Sequence, residues 1–118
     1  MRPHPFLPLL ALALALPACS DARKGDLPES RIRGDAQLAL GRRTFMRHCH
    51  ECHVQGGPGL GPGIIDKPLP AAAIKTQVRV GASTMPAFPE AKISGDELDA
   101  VVAYLGVLKR EGVPLAQR

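Results

Sequence analysis

Apolar and polar residues alternate in distinct regimes along this chain. Residues 6–18, FLPLLALALALPA, are apolar on every face and carry Pro8 and Pro17. The run is shorter than the roughly 20 residues that a membrane-spanning helix needs. Behind the basic start Met1-Arg2 and before a small-residue exit, it predicts an export signal over residues 1–18. Residues 19–34, CSDARKGDLPESRIRG, mix both charge signs with Gly and Pro and predict a tether. Helical spacing begins at Asp35, a suitable N-cap, with Leu38, Gly41, Phe45 and Cys49 on one face and Arg42, Arg43 and Arg47 mostly on the solvated side. Gly41 inside that helix costs about 1 kcal/mol relative to Ala, which close approach of another backbone would offset.

Periodicity then stops. Residues 54–70 hold five glycines and four prolines, which excludes a regular helix or a central strand. They predict a loop in which Leu60, Ile64, Ile65 and Leu69 need an apolar surface to cover. A short helix is expected over residues 70–80, with Pro70 in its first turn and Gly81 as its stop. A second loop runs over residues 82–93 with Pro86 and Pro89. Ser94 and Glu97 form a capping box for a last helix. Its stripe is Leu98, Val101, Val102, Leu105 and Leu108, bordered by Tyr104, with Gly112 and Pro114 past its end. No repeat and no strand pattern emerges, so the fold class is all-α, with two long ordered loops.

Composition sharpens this picture. The formal charge of +4 is too small to argue for nucleic-acid binding. Without the signal, Phe45, Phe88 and Tyr104 are the only aromatic residues, few for a domain whose core is marginal at this size. A large apolar cofactor is one way to fill the centre.

The chemistry concentrates in RHCHECHVQ, residues 47–55. Structural zinc wants four ligands, commonly as two separated pairs, and no pair follows Cys49 and Cys52. A reactive Cys-x-x-Cys dithiol usually opens a helix after a strand in an α/β domain, whereas this pair ends a helix in a chain without strands. Cys-x-x-Cys-His in an exported chain signals covalent haem: two thiols add to the two vinyl groups of the porphyrin, and His53 projects toward the iron. The remaining axial position needs a donor. Met1 leaves with the signal, Met46 lies one turn before Cys49, and Met85 stands in TMPAFP, where Pro86 biases it toward an extended loop.

Together these features make the sequence resemble a class I cytochrome c over roughly residues 35–110. Gly41-x3-Phe45-x3-Cys49-x2-Cys52-His53 is similar to the N-terminal helix and haem site of that family, MPAF at 85–88 to its distal ligand motif, and VVAYL at 101–105 to its C-terminal helix. The resemblance implies a cytochrome c fold with crossing terminal helices and one haem c attached through Cys49 and Cys52. It implies His53 and Met85 as axial ligands and the aromatic residue of the last helix packing across Gly41. GPG at 61–63 resembles the loop whose proline carbonyl receives the ring N–H of the proximal His, which assigns Pro62, with Pro58 as the alternative. Only 31 residues separate His53 from Met85, as in compact bacterial members, and Arg79 is a candidate propionate partner. His48 and His50 are expected to face solvent without ligating.

LPAC at 16–19 resembles the lipobox of bacterial lipoproteins, in which the Cys becomes a lipidated N-terminus. That implies a domain order of signal peptide 1–18, lipid-anchored tether 19–34, cytochrome domain 35–110 and tail 111–118, on the periplasmic side of a membrane. Otherwise the signal is cleaved in the ordinary way and leaves Cys19 as an unpaired thiol, a liability in an oxidising compartment. Met/His ligation leaves no open iron position, so the expected function is one-electron transfer between redox partner proteins rather than catalysis. The alternatives are a haem subunit of a larger dehydrogenase or oxidase, and a haem-based gas sensor.

Overall fold

The structure, a computed structural model, describes residues 24–113. The signal and Cys19 lie outside the described residues. Four helices follow in order: α1 (Glu29–Arg33), α2 (Ala36–His48), α3 (Ala71–Val80) and α4 (Gly95–Glu111). No strand occurs among the described residues; Ala82 and Met85 make one isolated bridge. The architecture is all-α, as expected.

Local chemistry fixes the helix ends. The Asp35 carboxylate accepts from the amides of Gln37 and Leu38, both at 3.0 Å, and starts α2. Ser94 Oγ accepts from Glu97 N while Glu97 Oε2 accepts from Ser94 N, the expected capping box. Pro70 stands just outside α3 as its N-cap, one position earlier than the sequence suggests. Gly81 ends α3 with φ +69°.

The crossing of α2 and α4 is the centre of the molecule. At Gly41 a Cβ would overlap the Ala100 carbonyl and lie 2.9 Å from Tyr104 Cβ. The glycine therefore lets the α4 backbone sit directly on α2. Phe45 and Tyr104, both fully buried, meet beside this point with ring centroids 5.5 Å apart. Tyr104 is thus a central residue of α4 rather than the border of its stripe. Ala100 and Val107 are buried, while Val102 is only half-buried.

The apolar interior is divided. One cluster joins Leu27, Ile32, Leu38, Phe45 and Ile65 to Val101, Tyr104, Leu105, Val107 and Leu108, with Cys49 and Met46 partly buried at its rim. A smaller one holds Val78, Phe88, Ile93 and Leu98, with Ile74 and Met85 at its rim.

The expected tether does not extend over residues 24–34, which are packed onto the domain. Leu27 and Ile32 are 5% and 8% exposed. The Asp26 carboxylate is the lock: it accepts from Tyr104 OH at 2.9 Å, Arg42 Nε at 2.6 Å and Leu27 N at 2.8 Å. Arg42 accordingly leaves the solvated side on which its spacing placed it. Gly25 N donates to Val113 O at 2.6 Å and Arg31 Nε to Glu111 Oε2 at 2.9 Å, tying the arm to the end of α4. Two apolar residues five positions apart among charges give no periodic signal. They are buried because α2 and α4 leave a groove that they close.

Candidate functional site: the Cys49–His53 turn and the Met85 loop

Cys49 is the C-cap of α2, and its amide still donates to Phe45 O. Cys52 N and His53 N both donate back to Cys49 O, at 3.2 and 2.9 Å, so the motif is one more tight turn beyond the helix. The two cysteines form no disulfide and are half-buried. Burial, with a smaller contribution from neighbouring Cys52, pushes the Cys49 thiol up to about 11. A reactive dithiol requires the opposite shift. Among the described residues no three His, Cys, Asp or Glu side chains converge as a zinc cage needs. The donor set fits covalent haem and does not fit the other two readings.

His53 is 9% exposed. Its Nδ1 lies 2.8 Å from the Pro62 carbonyl, which can only accept, so Nδ1 carries the proton and Nε2 keeps its lone pair for a metal. Pro62 provides this oxygen as expected; Pro58 packs near Gly63 instead. The approach depends on the loop glycines. A Cβ at Gly61 would stand 2.7 Å from His53 Cε1, and Gly56, at φ +72°, leaves room for Ile65. Gly61 N bonds to Cys52 O at 2.8 Å, and Ile64 N and Ile65 N both bond to Gly56 O, so the loop wraps the His53 turn. Ile65 is buried and Ile64 half-buried, but Leu60 and Leu69 are 81% and 42% exposed. The Gly59 N to Gly61 O bond places Leu60 at a loop tip, away from the surface it was expected to cover.

Met85 stands in a tight turn closed by Ala82 N to Met85 O at 3.0 Å and Met85 N to Ala82 O at 2.9 Å. Ser83 inside it has φ +51°. The segment lies against the end of α3: a Cβ on Gly81 would be 2.7 Å from Met85 O and 2.8 Å from Ala87 N. Phe88 N bonds to Val78 O at 2.9 Å. Arg79 Nη1 donates to Phe88 O at 2.9 Å and Ile93 O at 2.7 Å. That group therefore braces the Met85 loop, a role that its position on a helix face gave no hint of.

Neither neighbouring histidine faces freely into solvent; both are half-buried. His50 Nδ1 accepts from Gln55 N at 3.2 Å and supports the left-handed backbone there, φ +50°. The His48 ring meets Phe88 edge-on at 6.0 Å, joining the end of α2 to the Met85 loop. Sequence reasoning missed both contacts, because each partner lies in a loop without periodicity.

Residues 36–105 match the family described as cytochrome c oxidase, cbb3-type, subunit III. The chain belongs to the cytochrome c family. It is 36% identical over 78 residues to the 4-cresol dehydrogenase [hydroxylating] cytochrome c subunit of Pseudomonas putida, covering 66% of this chain and 68% of that one. It is 32% identical over 78 residues to cytochrome c6 of Bryopsis maxima, covering 58% and 88%. With cytochrome c6 of Chlorolobion braunii it shares 31% over 81 residues, covering 60% and 90%. The cofactor of this cytochrome is covalent haem c, with Cys49 and Cys52 supplying the thioethers and His53 beside them. Its function is electron transfer through that haem.

Proposed function

We propose that this cytochrome is a one-electron carrier in which His53 and Met85 are the two axial ligands, exported and held at the periplasmic surface of a membrane by a lipid on Cys19. When bound, haem c supplies an iron that alternates between ferrous and ferric states. The observation that carries the ligand assignment is the split core: Cys49 stands at the rim of one cluster and Met85 at the rim of the other. The Pro62 carbonyl orients His53 and makes its Nε2 more electron-donating. Arg79, Gly81 and the Val78–Phe88 bond hold the Met85 segment in place, which favours a ligand position that changes little on electron transfer. With His53 and Met85 both holding the iron, the haem would carry electrons and offer no open position to a substrate. Met85→Ala tests the assignment: the thioether-to-iron absorption band of the oxidised protein disappears and the reduction potential falls. A band that survives the substitution overturns it.

The export and anchoring rest on residues 1–19, and no described helix is long and apolar enough to cross a membrane. Mass spectrometry of the mature N-terminus decides them, with an acylated Cys19 as the expected result.

A second reading is favoured by the similarity to a dehydrogenase cytochrome subunit. In it the domain is the electron outlet of a larger dehydrogenase. Native purification under mild conditions separates the two: a stoichiometric flavin- or metal-containing partner supports the subunit, and a monomeric haem protein supports the free carrier.

A further inference from the structure

The packed arm changes what a lipid on Cys19 would do. We propose that this cytochrome is held on a short leash, with the pole of the domain around Lys24, Ile65 and Lys109 lying against an anionic lipid surface. The proposal rests on the anchoring reading above.

The first fixed point of the domain is close to Cys19. Gly25 is bonded to Val113, Asp26 is held by three donors, and Leu27 is buried. Five residue steps separate Cys19 from Lys24, which span about 18 Å even at full extension. A leash that starts only after residue 34 would allow about 50 Å. The pole from which the chain leaves therefore faces the bilayer, whatever conformation residues 19–23 adopt.

The chemistry of that pole suits a lipid surface. Lys24, Ile65, Asp66 and Lys109 line one shallow depression. Lys109 Nζ donates to the Lys67 carbonyl at 3.0 Å, and the Lys67 ammonium itself pairs with Asp66 Oδ1 at 3.2 Å and donates to Gly63 O at 2.7 Å. With Asp66 paired to Lys67, Lys24 and Lys109 leave this depression positive among the described residues, and Val113 beside Gly25 is 56% exposed. The attraction of such cations to an anionic leaflet falls off within a Debye length and is therefore weakened by salt. With this pole on the membrane, the domain is restricted in orientation, and its partner must present its redox centre at the same membrane surface.

The test uses acylated full-length holoprotein in vesicles of phosphatidylcholine, with and without phosphatidylglycerol. A headgroup-attached dye reports proximity through quenching by the haem. The wild type is expected to quench in both vesicles. Inserting 20 Gly/Ser residues after Arg23 adds about 25 Å of root-mean-square reach, and the quenching in phosphatidylcholine should fall by roughly half or more. With phosphatidylglycerol present, part of the loss should return at low salt, and K24E/K67E/K109E should abolish that return. Quenching that responds to neither the insertion nor lipid charge in acylated protein overturns the proposal. An N-terminus without acyl chains overturns the anchoring reading instead, and the leash with it.

Discussion

At the residue scale, Arg79, Gly61 and Tyr104 carry separate, testable consequences. Met85 is presented rather than merely available, and the presentation depends on Arg79. One guanidinium nitrogen bridges Phe88 O and Ile93 O, and charged hydrogen bonds of this kind contribute about 1.5–3 kcal/mol each. Arg79→Leu is expected to release the loop, so that the thioether-to-iron band is lost at a lower denaturant concentration than helical circular dichroism, while Arg79→Lys restores part of the gap. Coincident loss of both signals at an unchanged midpoint contradicts this role. Gly61 is the second case. A methyl group 2.7 Å from His53 Cε1 must push either the ring or the Pro62 carbonyl away. Gly61→Ala should raise the reduction potential, because a weaker Nδ1–H to Pro62 bond makes His53 less electron-donating to ferric iron. Tyr104 is the third. Burial first, and then its bond to Asp26, raise the phenol above its ordinary value near 10. A raised folded-state value means that its stabilising contribution is complete below pH 10 and is lost as the pH rises further. Denaturant midpoints of the wild type should fall above pH 10 more steeply than those of Tyr104→Phe.

At the scale of elements, the α2–α4 crossing organises the rest. Gly41 against Ala100 sets the closest contact, and the ends of both helices then aim the His53 turn and the arm. Gly41→Ala introduces backbone overlap that only a shift of a whole helix relieves, at a cost of about 2 kcal/mol or more. The same substitution at Gly106, where the nearest outside atom is the flexible end of Arg110 at 3.5 Å, should cost nothing or stabilise. Thermal melts of the two holoproteins make the comparison. Much of this level was legible in the sequence, because Asp35, Gly81 and the Ser94–Glu97 pair act through local hydrogen bonding within one turn. Leu60 and Tyr104 were misplaced for the complementary reason: a loop tip and the centre of a crossing are defined by partners far away in sequence.

At the scale of the whole molecule, α4 contributes to both apolar clusters, Leu98 to the smaller and Val101, Tyr104, Leu105, Val107 and Leu108 to the larger. The haem motif was readable because its spacing is a chemical requirement of one turn. The arm was not, because Leu27 and Ile32 are lone apolar residues in a charged segment and Asp26 finds Tyr104 and Arg42 only after folding. That arm takes residues 24–34 out of the expected 16-residue tether and packs them onto the domain. The central claim is that this chain holds a covalent haem between His53 and Met85. The visible spectrum of the purified full-length protein, oxidised and reduced, before and after extraction with acidic solvent, tests it most directly. Reversible one-electron conversion, a thioether-to-iron band in the oxidised form and haem that stays with the polypeptide are expected. Haem that partitions into the solvent, or an oxidised spectrum without that band, would contradict it.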